Sequence, residues 1–204
     1  MSMQIRNALP SDRNTVLDFC KDTFSWGDYI TGVWDSWISE GSLLVISENN
    51  TPVGICHSLI LKESNQLWIE GIRIDKNYRR HGFAKKLVEA SELAAHNNVN
   101  CSKMLIEVSN SPSLALAKKL SYKIESQWNF YSIQPERTTL HSKLKFAKYE
   151  PQIFDFMKQY GMYYVRSWRW ILINLTNTSE LFLQNKIVLM LTIFHQFFQN
   201  INKN

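Results

Sequence analysis

The stretch LWIEGIRIDKNYRRHGFAKKLVEASELA, residues 67–94, decides the fold. Its first part reads as a strand with Gly71 inside it, and a glycine there signals a bulge or a close approach of another chain segment. Its second part reads as a helix. Ala84, Leu87, Val88, Ser91, Ala94 and the following Ala95 share one face, with Lys85, Lys86, Glu89, Glu92 and His96 opposite. Between the two parts, Arg79, Arg80, His81 and Lys85 surround Gly82. No Ser, Thr or Asp stands where a helix cap is wanted, and cations gather at the end where the helix dipole is already positive. An anion would resolve both oddities. Gly82 lets a ligand reach the backbone, Ala84 keeps the first turn small, and the unpaired N–H groups form a nest for a phosphate. The arginines add charge-assisted bonds. The residues alone leave a second reading open, that of a basic solvated turn.

Upstream, MQIRNAL is a short strand that stops at Pro10. Pro10-Ser11-Asp12 starts a helix whose face carries Val16, Leu17, Phe19 and Cys20. DYITGVWDSWIS predicts a second helix, with Ile30, Val33, Trp34, Trp37 and Ile38 on one stripe. SLLVISE, the turn NNTP and VGICHSLILK predict a β-hairpin. Downstream, CSKMLIEVS predicts an apolar strand over 101–109, and SPSLALAKKL a helix with Pro112 in its first turn. SYKIESQWNFYSI reads as further strand material. The order is β-α-α-β-β-β-α-β-α-β, an α/β plan with a strand–helix–strand crossover at its centre. The uncapped helix is that crossover, which is where α/β folds bind phosphates.

Composition bounds the rest. With 204 residues, 45% hydrophobic and 20% charged, the chain can bury a core. A net charge of +5 suits an anionic ligand, a nucleic acid or an acidic surface. The basic residues are spread out, however, and SWRW is the one basic–aromatic run, so no nucleic-acid partner is expected. Three scattered cysteines, Cys20, Cys56 and Cys101, have no metal spacing and read as free thiols of a reducing, cytoplasmic setting. No metal is expected. IVLMLTIFHQFF is too short for a membrane span, so no membrane partner is expected either.

Taken together, GIRIDKNYRRHGFA resembles the acetyl-CoA-binding segment of the GNAT superfamily of N-acetyltransferases: a strand ending in an acidic residue, then (Arg/Gln)-x-x-Gly-x-(Gly/Ala), then a helix. The resemblance extends to MQIRNALPSDRNTVLDFC, LLVISENNTPVGICHSLI and LIEVSNSPSLALAKKLSYK, and covers about residues 3–133. It implies a mixed, splayed central sheet flanked by helices, in which strands near Trp68–Asp75 and Lys103–Ser109 part to admit the pantetheine arm of acetyl-CoA. Main-chain groups of Ile72 and Ile74 on the strand through Arg73 would pair with that arm. Arg79, Arg80, His81, Gly82, Phe83 and Ala84 would hold the pyrophosphate, and Asn110 stands where the family often contacts the cofactor. The implied reaction is transfer of acetyl to a primary amine, small-molecule or peptide, by direct attack in a ternary complex. The alternative is a non-catalytic acyl-CoA-binding or regulatory module.

An amine must lose a proton before it attacks, so a base is expected, and a strand N–H near Ile72 would receive the developing oxyanion. Glu70 is the first candidate base, flanked by Trp68 and Ile69; the other reading is a strand glutamate facing solvent. Asp28 is the second; the other reading is a helix cap. Trp26 and Tyr29 would line the acceptor site, and His57 reads as a packed or edge histidine rather than a base. One departure from the family stands out. Many relatives carry a tyrosine general acid in a Tyr-Glu-Lys-Leu-Gly-Phe run, and here AKKLSY puts Ala117 in its place, with Ser121-Tyr122 for Gly-Phe.

These readings assign residues 1–135 to a GNAT domain and 136–204 to a C-terminal α/β extension. FDFMKQ echoes LDFCKD and SWRWIL echoes VWDSWI, with LFLQNKIVLML as a hairpin, so a partial second GNAT-like half is one expectation. Tyr163, Tyr164, Trp168 and Trp170 form an aromatic block that needs covering, by the first domain or by a second copy in a homodimer.

Overall fold

The computed structural model describes residues 2–24, 27–62 and 64–127, and beyond them 146–147, 163–166, 171–174 and 189–190 with Gln152, Asp155 and Gln159. The chain divides into two compact units, 1–123 and 124–204. In the first, β1 (Met3–Asn7), β2 (Leu43–Glu48), β3 (Thr51–Leu61), β4 (Gln66–Ile74) and β5 (Cys101–Lys103) form one sheet in that order. Neighbours are antiparallel except β4 and β5, which run parallel. The helices are α1 (Arg13–Cys20), α2 (Ile30–Glu40), α3 (Phe83–Ala95) and α4 (Ser111–Lys119). The fold is therefore the expected α/β arrangement, a mixed sheet flanked by helices.

Two apolar layers cover the sheet. On one face Val16, Cys20, Ile30, Trp34 and Trp37 from α1 and α2 bury against Leu43, Val45 and Ile55. On the other Phe83, Leu87, Val88 and Ala95 of α3 bury against Ile46, Cys56, Leu67 and Ile69. Of the helical stripe expected on α3, Leu87, Val88, Ser91 and Ala95 are buried and Phe83 joins them, while Ala84 is half-buried and Ala94 exposed. The β2–β3 hairpin turns on Asn49 and Asn50, with φ of 48° and 66°. Both central residues of such a two-residue turn need positive φ, and asparagine tolerates it better than most side chains. Among the described residues no helix is long and apolar enough to cross a membrane.

The strand expected over 101–109 is shorter than predicted. β4 and β5 pair only from Gln66–Cys101 to Trp68–Lys103, and Met104–Glu107 form no strand. A strand lasts only as long as a neighbour takes its hydrogen bonds, and here the neighbour leads away. Residues 122–127 likewise form no strand, and the rest of that expected element lies outside the described residues.

In the second unit, β6 (Phe146–Ala147) pairs antiparallel with β9 (Leu189–Met190), and β7 (Tyr163–Arg166) with β8 (Ile171–Asn174). Trp168, Trp170 and most of the hairpin expected around 181–191 lie outside the described residues.

Two local devices set the ends of elements. Asp12 accepts the Leu9 N–H at 2.8 Å and both Arg6 guanidinium nitrogens at 2.6 and 2.8 Å, tying β1 to the start of α1. Burial pushes its carboxyl up, but Arg6 and the Leu9 N–H outweigh that and hold it below the usual carboxylate range. At the end of α4 the Tyr122 N–H bonds the Ala117 carbonyl and the Ser121 N–H the Lys118 carbonyl, each at 3.0 Å. This is a Schellman cap, whose left-handed position suits glycine; here Ser121 occupies it at φ 66°.

Ser121→Gly is therefore expected to stabilise the protein by about 0.5–1 kcal/mol, read as a higher denaturation midpoint; a lower midpoint would contradict the cap assignment. Asp12→Asn is expected to cost about 1–3 kcal/mol at neutral pH. Because the folded carboxyl is depressed, the Asp12 contribution is complete above the normal aspartate pKa and disappears as pH falls through the folded value. The gap between variant and parent should close in acid, and a gap independent of pH would argue against the ion pair.

Candidate active site

The register of β3 on β4 contains a discontinuity. His57 faces Glu70 and Ile55 faces Arg73, so Gly71 and Ile72 together oppose Cys56. That is a β-bulge of the kind that places glycine in the left-handed region, and Gly71 has φ 65°. A bulge advances the alternation of side chains by one residue. Glu70 and Arg73, three apart, thus both point to the α1–α2 face, while Ile72 and Ile74 pack with the α3 layer. The glycine is also required by space. A Cβ on Gly71 would lie 2.3 Å from Cη2 of Trp37, so the expected bulge is present, and what approaches the glycine is an indole ring rather than the backbone of another segment.

Trp37 continues from there to His57, with parallel rings 4.3 Å apart between centroids. His57 is completely buried. Its Nδ1 is 3.0 Å from Glu70 Oε1, and its Nε2 is 2.9 Å from Glu40 Oε2 and 3.3 Å from Ser42 Oγ. The Glu70 side chain is only 14% exposed and that of Glu40 25%. Glu70 is therefore a partly buried, partnered carboxylate. His57 is packed, as expected from the sequence. Its contacts with Glu70 and Glu40 were not legible there, because they require the strand register and the end of α2.

Asp28 meets Arg73 in a two-point ion pair, Arg73 Nε donating to Oδ2 at 2.6 Å and Nη2 to Oδ1 at 3.1 Å, while the Ile30 N–H donates to Oδ1 at 3.1 Å. The Asp28 side chain is 2% exposed. Burial pushes the Arg73 guanidinium down, and the Asp28 carboxylate more than offsets it, leaving the arginine firmly charged. The guanidinium carbon lies 5.1 Å from the Phe24 ring centre and 5.2 Å from that of Tyr29, which is exposed. Asp28 thus does cap the start of α2. Trp26 lies outside the described residues.

The other half of the candidate site is the edge of β4 and the start of α3. Beyond Trp68, β4 continues to Ile74 without β5 beside it. The Ile72 carbonyl accepts from Arg73 Nη1 at 3.0 Å and the Ile74 carbonyl from Arg79 Nε at 3.2 Å, each retaining a second lone pair. Asp75 then turns the chain by accepting the Asn77 N–H at 2.9 Å. Arg79, Arg80, His81 and Gly82 are exposed. Arg80 and Gly82 both have positive φ, 71° and 78°, and left-handed backbone at a non-glycine residue is a stored strain of the sort found at ligand-binding turns. No side chain caps α3. The first bond of its ladder runs from the Lys86 N–H to the Gly82 carbonyl, so the N–H groups of Phe83, Ala84 and Lys85 precede it. The space beside Gly82 is open. Lys85 pairs with Glu89 at 3.4 Å. Asn110 caps α4, its side-chain oxygen accepting the Ser113 N–H at 3.2 Å.

Ala117, at the position where the resemblance implies a tyrosine, is buried. The Tyr122 hydroxyl bonds to the Glu92 carboxylate and to Ser102 Oγ. Burial first, and then Glu92, push that hydroxyl well above the normal tyrosine range, so it is committed to joining α3, β5 and α4. The cysteines are free, and burial pushes the Cys20 and Cys56 thiols up to about 12.

A mixed sheet whose parallel pair parts beside an uncapped, glycine-led crossover helix defines the class. Residues 13–122, more than half of the chain, match the model of the Acetyltransferase (GNAT) family, and the chain belongs to that family. Among solved structures it is similar to AAC(6')-Iy in complex with the bisubstrate analogue CoA-S-monomethyl-acetylneamine (16% identity over 66% of this chain and 100% of that one, TM-score 0.56). It is also similar to Ard1 from Thermoplasma volcanium (17%, 62% and 86%, TM-score 0.56). An N-acetyltransferase from Staphylococcus aureus Mu50 is a third (17%, 62% and 86%, TM-score 0.53). At these identities the likeness shows the fold alone. No curated protein matches the sequence.

Gly71→Ala is expected to destabilise the protein by about 2–4 kcal/mol, from left-handed strain plus overpacking against Trp37. Urea denaturation measures it, and a loss under about 0.5 kcal/mol would contradict the contact.

Proposed function

We propose that the chain is an N-acetyltransferase that transfers the acetyl group of acetyl-CoA to a primary amine, of a small molecule or a peptide, by direct attack in a ternary complex. The observation that carries this reading is the parting of β4 from β5 after Trp68 and Lys103, next to the uncapped turn at Gly82. Acetyl-CoA supplies an acyl carbon activated as a thioester. The N–H groups from Arg80 to Ala84 hold its pyrophosphate with help from Arg79, and the open edge of β4 at Ile72 and Ile74 takes the pantetheine amides. Asn110 stands at the head of α4 nearby in sequence to β5.

Glu70 is the base. It takes a proton from the acceptor ammonium, leaving the nitrogen lone pair to form the C–N bond as the C–S bond breaks, and the second proton that the nitrogen then sheds passes to the departing thiolate or to water. A strand N–H near Ile72 donates to the acyl oxygen as charge develops there. Asp28 is assigned to positioning: its oxygens are occupied by Arg73 and Ile30, and the pair fixes the Tyr29 wall of the acceptor site. The thiolate leaves without a tyrosine acid, because a thiol pKa near ~8.5 makes it a tolerable leaving group. Residues 1–135 carry this chemistry, and 136–204 form an extension to it.

A second reading, a binder of acyl-CoA without turnover, is favoured by Ala117 and by the engaged Tyr122 hydroxyl. Two measurements separate them. Acetyl-CoA at about 100 times its Kd should stabilise the protein by ~2.7 kcal/mol, and Gly82→Trp should abolish that shift by filling the turn. An undiminished shift would refute the phosphate assignment. Thiol release with a panel of amines should then show turnover, and Glu70→Gln should lower kcat by about 10²-fold or more while retaining the acetyl-CoA shift. An unchanged kcat would remove Glu70 as the base, and release with no amine would favour the binder.

A further inference from the structure

The His57 ring supplies more than packing. Each ring nitrogen lies within 3.0 Å of a carboxylate oxygen, Glu70 on one side and Glu40 on the other. Neutral imidazole has one N–H and one lone pair. A lone pair pointed at a carboxylate oxygen at that distance is repulsive, so each contact asks for a hydrogen. The ring is also fully buried, so its polar atoms need partners inside the protein. Here they have two carboxylates, and the face of Trp37 stacks on the ring at 4.3 Å.

We propose that Glu40 and His57 are positioning residues for Glu70: the buried imidazole, held between the two carboxylates, fixes the Glu70 carboxylate toward the acceptor amine. The proposal rests on the reading of Glu70 as the base. Glu40 closes α2, Trp37 is one turn earlier on the same helix, and Ser42 begins the link to β2. One helix end thus holds the ring from its edge and from its face. The stack on Trp37 in turn depends on Gly71, because any side chain there would displace the indole. Among the described residues, Ser42 beside α2, the Arg73–Asp28 pair on the β4 side, Cys20 from α1 and Tyr29 against the edge of Trp37 surround this cluster. Burial, and then Asp28, push the Cys20 thiol up to about 12.

The test uses the full chain with ¹⁵N-labelled histidine, the His57 signals being assigned by their loss in His57→Gln. The ring-nitrogen signals of His57 should shift in Glu70→Gln and in Glu40→Gln, because each variant exchanges a carboxylate within 3.0 Å of one ring nitrogen for an amide. Signals unmoved in either variant would overturn the proposal without any need for turnover. In thiol-release assays with acetyl-CoA and the amine panel, Glu40→Gln should lower kcat by about tenfold and leave the KM for acetyl-CoA within about twofold. An unchanged kcat, with Glu70→Gln still slow, would overturn the positioning role alone. A Glu70→Gln variant as fast as the parent would overturn both this and the base assignment.

Discussion

Trp37 lies where a side chain at residue 71 would stand, and the rest of the candidate site follows from that contact. Glycine at that point lets β4 bulge. The bulge reverses the alternation, so that Glu70 and Arg73 share the α1–α2 face while Ile72 and Ile74 stay with α3. A regular strand would have sent one of the two charged residues into the α3 layer, among Leu87, Val88 and Ile69, where no described partner awaits it. Burying a lone charge there is unfavourable by several kcal/mol. The bulge therefore settles in one step which residues face α1 and α2 and which complete the α3 core.

The electrostatics of that face are arranged in pairs. Arg73 and Asp28 neutralise one another between Phe24 and Tyr29, and His57 lies between Glu40 and Glu70. Neither assembly is a surface ion pair of small consequence. Both lie against aromatic rings, Phe24 and Tyr29 for the first and the buried Trp37 for the second. The other side of β4 is built on the opposite principle. From Arg79 to Gly82 the chain is exposed, positively charged and strained at Arg80, and α3 begins without a cap. One strand thus joins a partnered, desolvated acidic cluster to an open cationic turn, an arrangement suited to an amine on one side and a phosphate on the other.

Much of this was legible in the sequence. Helical stripes marked α1 to α3, Pro112 marked the start of α4, Asn49-Asn50 marked the hairpin, and the uncapped run at Gly82 marked the crossover. Gly71 was legible as a bulge or a close approach, because glycine in a strand has few other reasons to be there. The consequences of the bulge were not legible, since register is a property of two strands and one sequence stretch does not reveal its partner. For the same reason His57 read as a packed histidine and the link to Glu40 was invisible. The strand expected to Ser109 stopped at Lys103 because propensity records what a segment tolerates, whereas pairing depends on whether a neighbour stays alongside. Ser121 in the left-handed cap showed as a departure from the glycine of relatives, yet its cost becomes apparent only with its dihedral angle.

The account makes its central claim about backbone amides: the gap beside β4 and the turn at Gly82 receive one extended, phosphorylated thioester. Residue-resolved amide hydrogen exchange, with and without acetyl-CoA, tests this most directly. The account predicts slowed exchange at Ile72, at Ile74 and from Arg80 to Ala84, with the Asn49–Asn50 turn unaffected. Exchange at those amides that does not respond to saturating acetyl-CoA, or protection confined to some other part of the chain, would contradict it.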